Sequence, residues 1–207
     1  RVGALAQRGE QLAAGADVNE ATPEEGSALV VASASGHEKL ALFLLEKGAN
    51  PNVKDGFGIT PLHYAIHQGM LALSVFKPSS SDEFGWSRHN KPELAKALLA
   101  HGADPNAQIA HDFPPYDYPL LSRTRGLDLA QLSLVGATPF LLATASSDLD
   151  LMRVLVEGRA NARLGTADGN FPLMVAAGMA HERGGYGFGG QTGGEYLTTA
   201  EEQQRIL

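Results

Sequence analysis

One short phrase recurs at a fixed interval. Gly15-Ala16-Asp17-Val18-Asn19 returns 33 residues later as Gly48-Ala49-Asn50-Pro51-Asn52. It returns again as Gly102-Ala103-Asp104-Pro105-Asn106, after one period plus 21 residues. A second phrase keeps the same rhythm. Ser27-Ala28-Leu29 lies 33 residues before Thr60-Pro61-Leu62, and Thr138-Pro139-Phe140 lies 33 before Phe171-Pro172-Leu173. Thr60 and Thr138 are separated by two periods plus 12. Self-similarity at such a period is the signature of a repeat architecture, in which one small unit is stacked on the next.

The local chemistry of each phrase is legible. Thr60 is a good helix N-cap, and Pro61 suits the first helical position, where no amide donor is needed. This predicts a helix from Pro61 to Gln68 that ends at Gly69. A second helix is predicted from about Glu38 to Lys47, stopped by Gly48 in a left-handed cap. Its apolar residues Leu40, Phe43 and Leu44 are spaced i, i+3, i+4. Leu94, Ala97 and Leu98 hold the same offsets before Gly102, and Leu151, Val154 and Leu155 hold them before Arg159. Between helix pairs, Lys54-Asp55-Gly56-Phe57-Gly58 reads as a tight turn.

A 33-residue unit of Gly-Ala-Asp-x-Asn, a turn and then Thr-Pro-Leu-His resembles the ankyrin repeat. The clearest copy runs from Gly48 to Ala65 and includes Thr60-Pro61-Leu62-His63-Tyr64-Ala65. The resemblance covers about two thirds of the chain. It implies an all-α solenoid of stacked helix pairs with β-turn fingers projecting to one side. It also implies that fingers and inner helices line a concave binding face. The chain is expected to be one such domain over residues 1–207, as a piece of a longer solenoid.

Several positions depart from the pattern. The first outer helix carries Gln7, Glu10 and Gln11 where later copies are apolar, which suits a solvated cap or a different register. Arg159 replaces a capping glycine, with Gly158 one residue early, and Arg163 stands where Asn would be. Phe171 replaces the capping threonine, so its helix should start more weakly. The closing Glu201-Glu202-Gln203-Gln204-Arg205-Ile206-Leu207 reads as an unfinished outer helix.

Three long insertions are expected, at about 70–91, 109–135 and 180–198. The first holds Pro78-Ser79-Ser80-Ser81. The second holds Asp112-Phe113-Pro114-Pro115-Tyr116-Asp117-Tyr118-Pro119, which cannot form a regular helix. The third holds seven glycines. Of the chain's 14 Phe, Tyr and Trp residues, nine lie in these stretches, which make up about a third of the length. Flexible linkers are poor in aromatics, whereas interfaces are rich in Tyr and Trp. Two roles follow for these side chains: a binding surface, or a cover folded back on the repeats. By ankyrin geometry the second insertion enlarges the finger side, and the first and third emerge at the opposite edge.

Charge and composition narrow the function. The formal net charge of -7 disfavours nucleic-acid binding, which needs clustered Lys and Arg, and favours a partner with a basic patch. There is no cysteine, hence no disulfide, thiolate metal site or cysteine nucleophile in this sequence. No apolar run reaches the ~20 residues of a membrane span. Neither composition nor a targeting segment fixes the compartment. Resemblance to bacterial ankyrin proteins with decorated loops makes export to the periplasm or beyond an expectation.

Motifs for catalysis are weak. His37, His63 and His101 fall where ankyrin repeats commonly carry His, with His63 expected to hydrogen-bond near the Thr60 cap. His67 follows one helical turn after His63, but the Glu of a His-Glu-x-x-His zinc site is missing. His111-Asp112 and His181-Glu182 would form a site only if their loops met. Gly185 to Gly190 matches G-x-G-x-x-G but lacks the flanking strand and helix of a dinucleotide site. Asp148 and Asp150 suit the positive end of an outer helix. Glu24-Glu25 and Glu201-Glu202 read as solvated charges.

The expected function is non-enzymatic recognition of a protein partner, without cofactor or metal. The candidate finger-side residues are Phe57, Phe113, Tyr116, Tyr118, Arg123 and Arg125, and Trp86 and Tyr186 mark the opposite edge. Arg123 and Arg125 would either clamp an acidic group with the tyrosines or pair with Asp117 or Asp128. Two other readings compete: a structural segment packed permanently in a larger protein or assembly, and an enzyme whose site is formed by the insertions.

Overall fold

The structure, a computed structural model, describes residues 15, 17–66, 69, 89–111 and 134–177. Among them, seven helices stand in two rows. The inner row comprises α1 (Ala28–Ala34), α3 (Pro61–Tyr64), α5 (Pro139–Ala145) and α7 (Pro172–Ala176). The outer row comprises α2 (Glu38–Glu46), α4 (Pro92–Ala100) and α6 (Leu149–Glu157). The first three inner helices pack on outer partners: α1 on α2, α3 on α4, α5 on α6. Neighbours within a row also touch, α1–α3–α5–α7 on one side and α2–α4–α6 on the other. One apolar core runs along the seam.

The outer helices follow the expected stripe. Leu40, Leu44, Leu94, Leu98, Leu151 and Leu155 are buried, and Phe43, Ala97 and Val154 are half-buried at the stripe's margin. Burying a leucine removes enough apolar surface from water to contribute about 2 kcal/mol. Gly48 and Gly102 end α2 and α4 in the left-handed region, at φ 85° and 89°. At the end of α6, Gly158 keeps φ -75°, and Arg159 takes the left-handed position at φ 68°.

The inner helix after Thr60 is shorter than the Pro61–Gln68 expected. Helix α3 ends at Tyr64: the Ile66 N–H bonds to His63 O (2.9 Å), and beyond it the carbonyl of Ala65 accepts the N–H of Lys91 (2.8 Å). The N–H of Gly69 turns to Ile66 instead (3.1 Å). Gly69 is therefore no helix stop. It lies against the backbone of Leu142 in α5, where a Cβ would collide with the Leu142 carbonyl. This glycine serves close helix approach rather than a positive φ.

The fingers share one base. Asp55 N–H bonds to Ile59 O, Ile109 N–H to Ala137 O and Thr166 N–H to Asn170 O, at 3.0–3.1 Å. Gly58, Gly136 and Gly169 close these turns at φ 78–82°. The first finger goes further than a turn, forming two-residue antiparallel strands β1 (Ala21–Thr22) and β2 (Gly26–Ser27). Ile109 is buried and belongs to the scaffold, although spacing alone places it at the start of an insertion.

Candidate functional site

Adjacent fingers are joined by backbone hydrogen bonds, so their order follows that of the helices. Gly56 N–H donates to Glu24 O (2.9 Å). Ala110 and His111 N–H both donate to Phe57 O (3.0 Å each). Ala167 N–H donates to Val135 O (2.8 Å). Residues 112–133 are thus bracketed by two anchored feet. Ala110 and His111 are tied to the preceding finger, and Val135 to the following one. A shallow depression of about 480 Å³ lies beside these feet, lined by Gln108, Ala110, Val135, Gly165 and Ala167 among others.

A second ladder runs through the loops after the outer helices. Asn19 Oδ1 accepts the N–H of Asn50 (2.7 Å), and its Nδ2 donates to Gly48 O (3.4 Å). Asn52 repeats this with Asp104 N–H (2.7 Å) and Gly102 O (2.8 Å). Asn106 repeats it with Asn161 N–H (2.6 Å) and Arg159 O (3.3 Å). A single amide supplies the acceptor and donor that each successive loop needs. Arg163 holds the next position in this series and offers no acceptor.

The inner helix starts show why the repeated phrase contains histidine. Thr60 and His63 form a capping box, with His63 Nδ1 within 2.8 Å of Thr60 Oγ1 and 3.2 Å of its backbone nitrogen. Because Nδ1 accepts the Thr60 N–H, Nε2 carries the proton and donates to Ala107 O (3.1 Å). Burial disfavours the imidazolium and lowers the His63 pKa to about 4, outweighing the opposing pull of the Ala107 carbonyl and of Asp104. Both ring nitrogens are occupied, so His63 is not available as one half of a metal-binding pair with His67. In α1, Val30 replaces the histidine, and the buried Ser27 hydroxyl has no partner. Thr138 caps α5 by accepting the Leu141 N–H, whereas Phe171 makes no side-chain cap.

Of the sequence-derived partner residues, Phe57 alone lies within the described residues. It is half-buried and packed against the core. Its N–H donates to Asp55 Oδ1 (2.9 Å), and Tyr64 OH donates to the other oxygen of the same carboxylate (2.5 Å). Phe113, Tyr116, Tyr118, Arg123, Arg125, Trp86 and Tyr186 lie outside the described residues, as do Asp112, His181, Glu182, Glu201, Glu202 and the glycine motif at 185–190. His37, His89, His101 and His111 are exposed. Asp148 caps α6 by accepting the Leu151 N–H (3.0 Å), and Asp150 pairs with Arg153 (3.1 Å). Among the described residues, no three His, Asp or Glu side chains converge as metal ligands, and no helix is long and apolar enough to cross a membrane.

The inner helices do not contribute equally to an open face. Every residue of α5 is buried, whereas α1 exposes Ala28 and Val31 and α3 leaves Tyr64 half-exposed. Spacing alone misses this difference, because the three helices share one register.

Comparison with known proteins agrees with the repeat. The family model for ankyrin repeats in many copies matches residues 29–77. Rabankyrin-5 of Mus musculus is 31% identical over 132 residues, 63% of this chain and 9% of that protein. Its Homo sapiens counterpart is 31% identical over 131 residues, with the same coverage. Human Arf-GAP with coiled-coil, ANK repeat and PH domain-containing protein 2 is 43% identical over 74 residues, 33% of this chain and 10% of that protein. The chain thus spans about a tenth of the length of these mammalian relatives. Period, capping chemistry and these matches agree that the chain carries ankyrin repeats.

Proposed function

We propose that the chain is a non-enzymatic recognition scaffold that binds a protein partner along its finger row. Ankyrin repeats mediate protein–protein interaction, and the finer assignment rests on the fingers themselves. The observation that carries it is the anchoring of Ala110, His111 and Val135 to fingers on either side. A segment tethered at both feet loses less freedom on binding than a free one, which favours affinity. Phe113, Tyr116, Tyr118, Arg123 and Arg125 belong to that stretch of sequence, and Phe57 stands half-exposed in the preceding finger. Aromatic and Arg side chains are the usual energetic centres of interfaces. Trp86 and Tyr186 form a second candidate edge. The net charge of -7 suits a partner with a basic patch for the surface as a whole. The array is read as one domain within a longer solenoid.

A second reading, a segment packed permanently in a larger assembly, is favoured by the apolar exposure of α7, where Leu173 is 65% exposed. Site-specific photo-crosslinking separates the two. A crosslinker at Tyr116 or Tyr118 of the intact chain in native extract is expected to capture a different protein. The same group at Tyr186 should do so less. Crosslinks confined to Leu173 and its neighbours would reject the finger-row reading in favour of permanent packing.

A further inference from the structure

Three positions in the last described repeat depart from the residues that the Gly48 and Gly102 repeats carry there. After the outer helices, Gly48 and Gly102 take the left-handed conformation at φ 85° and 89°, as Gly15 does at φ 94°, but here Arg159 takes it at φ 68°. Asn19, Asn52 and Asn106 clamp the following loop, but the next position in the series is Arg163. Thr60 and Thr138 cap their helices, but the corresponding residue before α7 is Phe171.

Each exchange costs stability. A side chain is disfavoured in the left-handed region. Arginine carries no acceptor with which to replace the asparagine clamp. Phenylalanine cannot cap a helix. Arg159 and Arg163 are exposed, and neither guanidinium has a hydrogen bond or ion pair among the described residues. The nearby Arg153, by contrast, is paired with Asp150. Local rules broken without structural return are where binding residues are to be sought.

The three positions lie on one stretch, between the end of α6 and the start of α7. Arg159 and Arg163 share the loop after α6, and the Phe171 ring lies against Gly165, two residues beyond Arg163. A Cβ on Gly165 would sit 2.9 Å from the ring edge. Phe171 is 47% exposed, and Leu173 stands open two residues further on. In a chain of net charge -7 this loop presents two guanidiniums without a partner among the described residues, and an apolar ledge follows it at the start of α7.

We propose that Arg159, Arg163 and Phe171 form a docking site for an acidic segment of another protein. Carboxylates of the segment meet the two guanidinium forks, and an apolar side chain rests on Phe171 and Leu173. Its partner chemistry differs from that of the finger row as a whole, whose expected partner is basic.

The test uses the intact chain and a fluorescent peptide of alternating Asp and Leu, followed by anisotropy. A Lys and Leu peptide and phosphatidylserine vesicles serve as comparisons. The acidic peptide should bind, and its affinity should fall with salt. The double substitution Arg159→Gly, Arg163→Asn should weaken it at least tenfold. That variant restores the residues of the earlier repeats, so its melting temperature should rise while binding falls, which separates lost binding from lost folding. Phe171→Thr should weaken binding several-fold and likewise leave the fold intact. Unchanged affinity in the double variant, no binding by the parent chain, or equal binding of the basic peptide would overturn the proposal. Preferential binding of the vesicles would also overturn it, assigning the site to a membrane surface. Crosslinking at Tyr116 should be unaffected by these substitutions, so the finger-row reading stands or falls separately.

Discussion

The repeat beginning at Gly48 and the one beginning at Arg159 perform the same local tasks with different residues. The first has a glycine in the left-handed position, an asparagine clamping the next loop, and a threonine–histidine capping box. The second has Arg159, Arg163 and Phe171 at those three places. The backbone path is kept: Gly169 closes its finger as Gly58 does, and Ala160 N–H returns to Leu155 O as Ala49 N–H returns to Leu44 O. Stacking on a preceding repeat therefore suffices to impose the shape, while side-chain chemistry sets how firmly it is held. Burial sharpens the contrast. Leu62 in α3 is fully buried, whereas Leu173 in the equivalent place in α7 is mostly exposed.

Exchanging those leucines is the strongest way to break the comparison. Leu62→Ala should cost about 2–5 kcal/mol in urea unfolding. Leu173→Ala should cost about 0.5 kcal/mol or less. Equal losses would mean that α7 is covered as α3 is.

The second test is pH. His63 is held neutral, with its pKa lowered from 6.5 to about 4 by burial. The unfolded chain therefore binds the proton more readily, and the stability from the neutral ring is present above pH 6.5. It declines as pH falls toward 4. Between pH 7 and pH 5 the loss should be about 2 kcal/mol from this group. A His63→Gln variant, less stable at pH 7, should show that much less pH dependence over the interval. The last repeat has no such group in its cap, so an identical pH slope in the variant would remove His63 as the cause.

Smaller effects test the backbone. Arg159→Gly should gain about 1 kcal/mol by relieving the left-handed strain, and Gly102→Ala should lose a similar amount. A Cβ at Gly102 meets no atom within 4 Å, so that loss would be conformational and not steric. Phe171→Thr should add about 0.5–1 kcal/mol by supplying the missing cap, and Thr138→Ala should lose about the same. Thermal melts of the four variants would rank these terms.

Much of the fold was legible because its signals are local. The Thr60-Pro61 start, the Gly48 and Gly102 stops and the i, i+3, i+4 stripe each act within one or two helical turns. Thr60 to His63 is also a local pair, and Asp148 declares its capping role by position. Gly69 misleads because glycine marks both helix ends and close approaches, and the approach to Leu142 joins residues far apart in sequence. Ile109 misleads similarly, although Gly136-Ala137-Thr138, parallel to Gly58-Ile59-Thr60, was a usable signal for the finger base. The candidate partner residues beyond Phe57 rest on composition, since aromatic enrichment states a tendency without stating a direction.

The sequence by itself determined the period, the helix boundaries within a few residues, and which positions in a unit are apolar. These follow from short-range sterics and hydrogen bonding within a single chain segment. Only the tertiary structure decided which loop each asparagine clamps, which fingers join across the second insertion, and that α5 is wholly buried while α7 presents Leu173. It also decided that His63 is neutral, because desolvation depends on what surrounds the ring and not on the residues beside it in sequence. Stacking places one unit's carbonyls and apolar faces against the next unit's amides and side chains, and no single 33-residue phrase contains both halves of that contact.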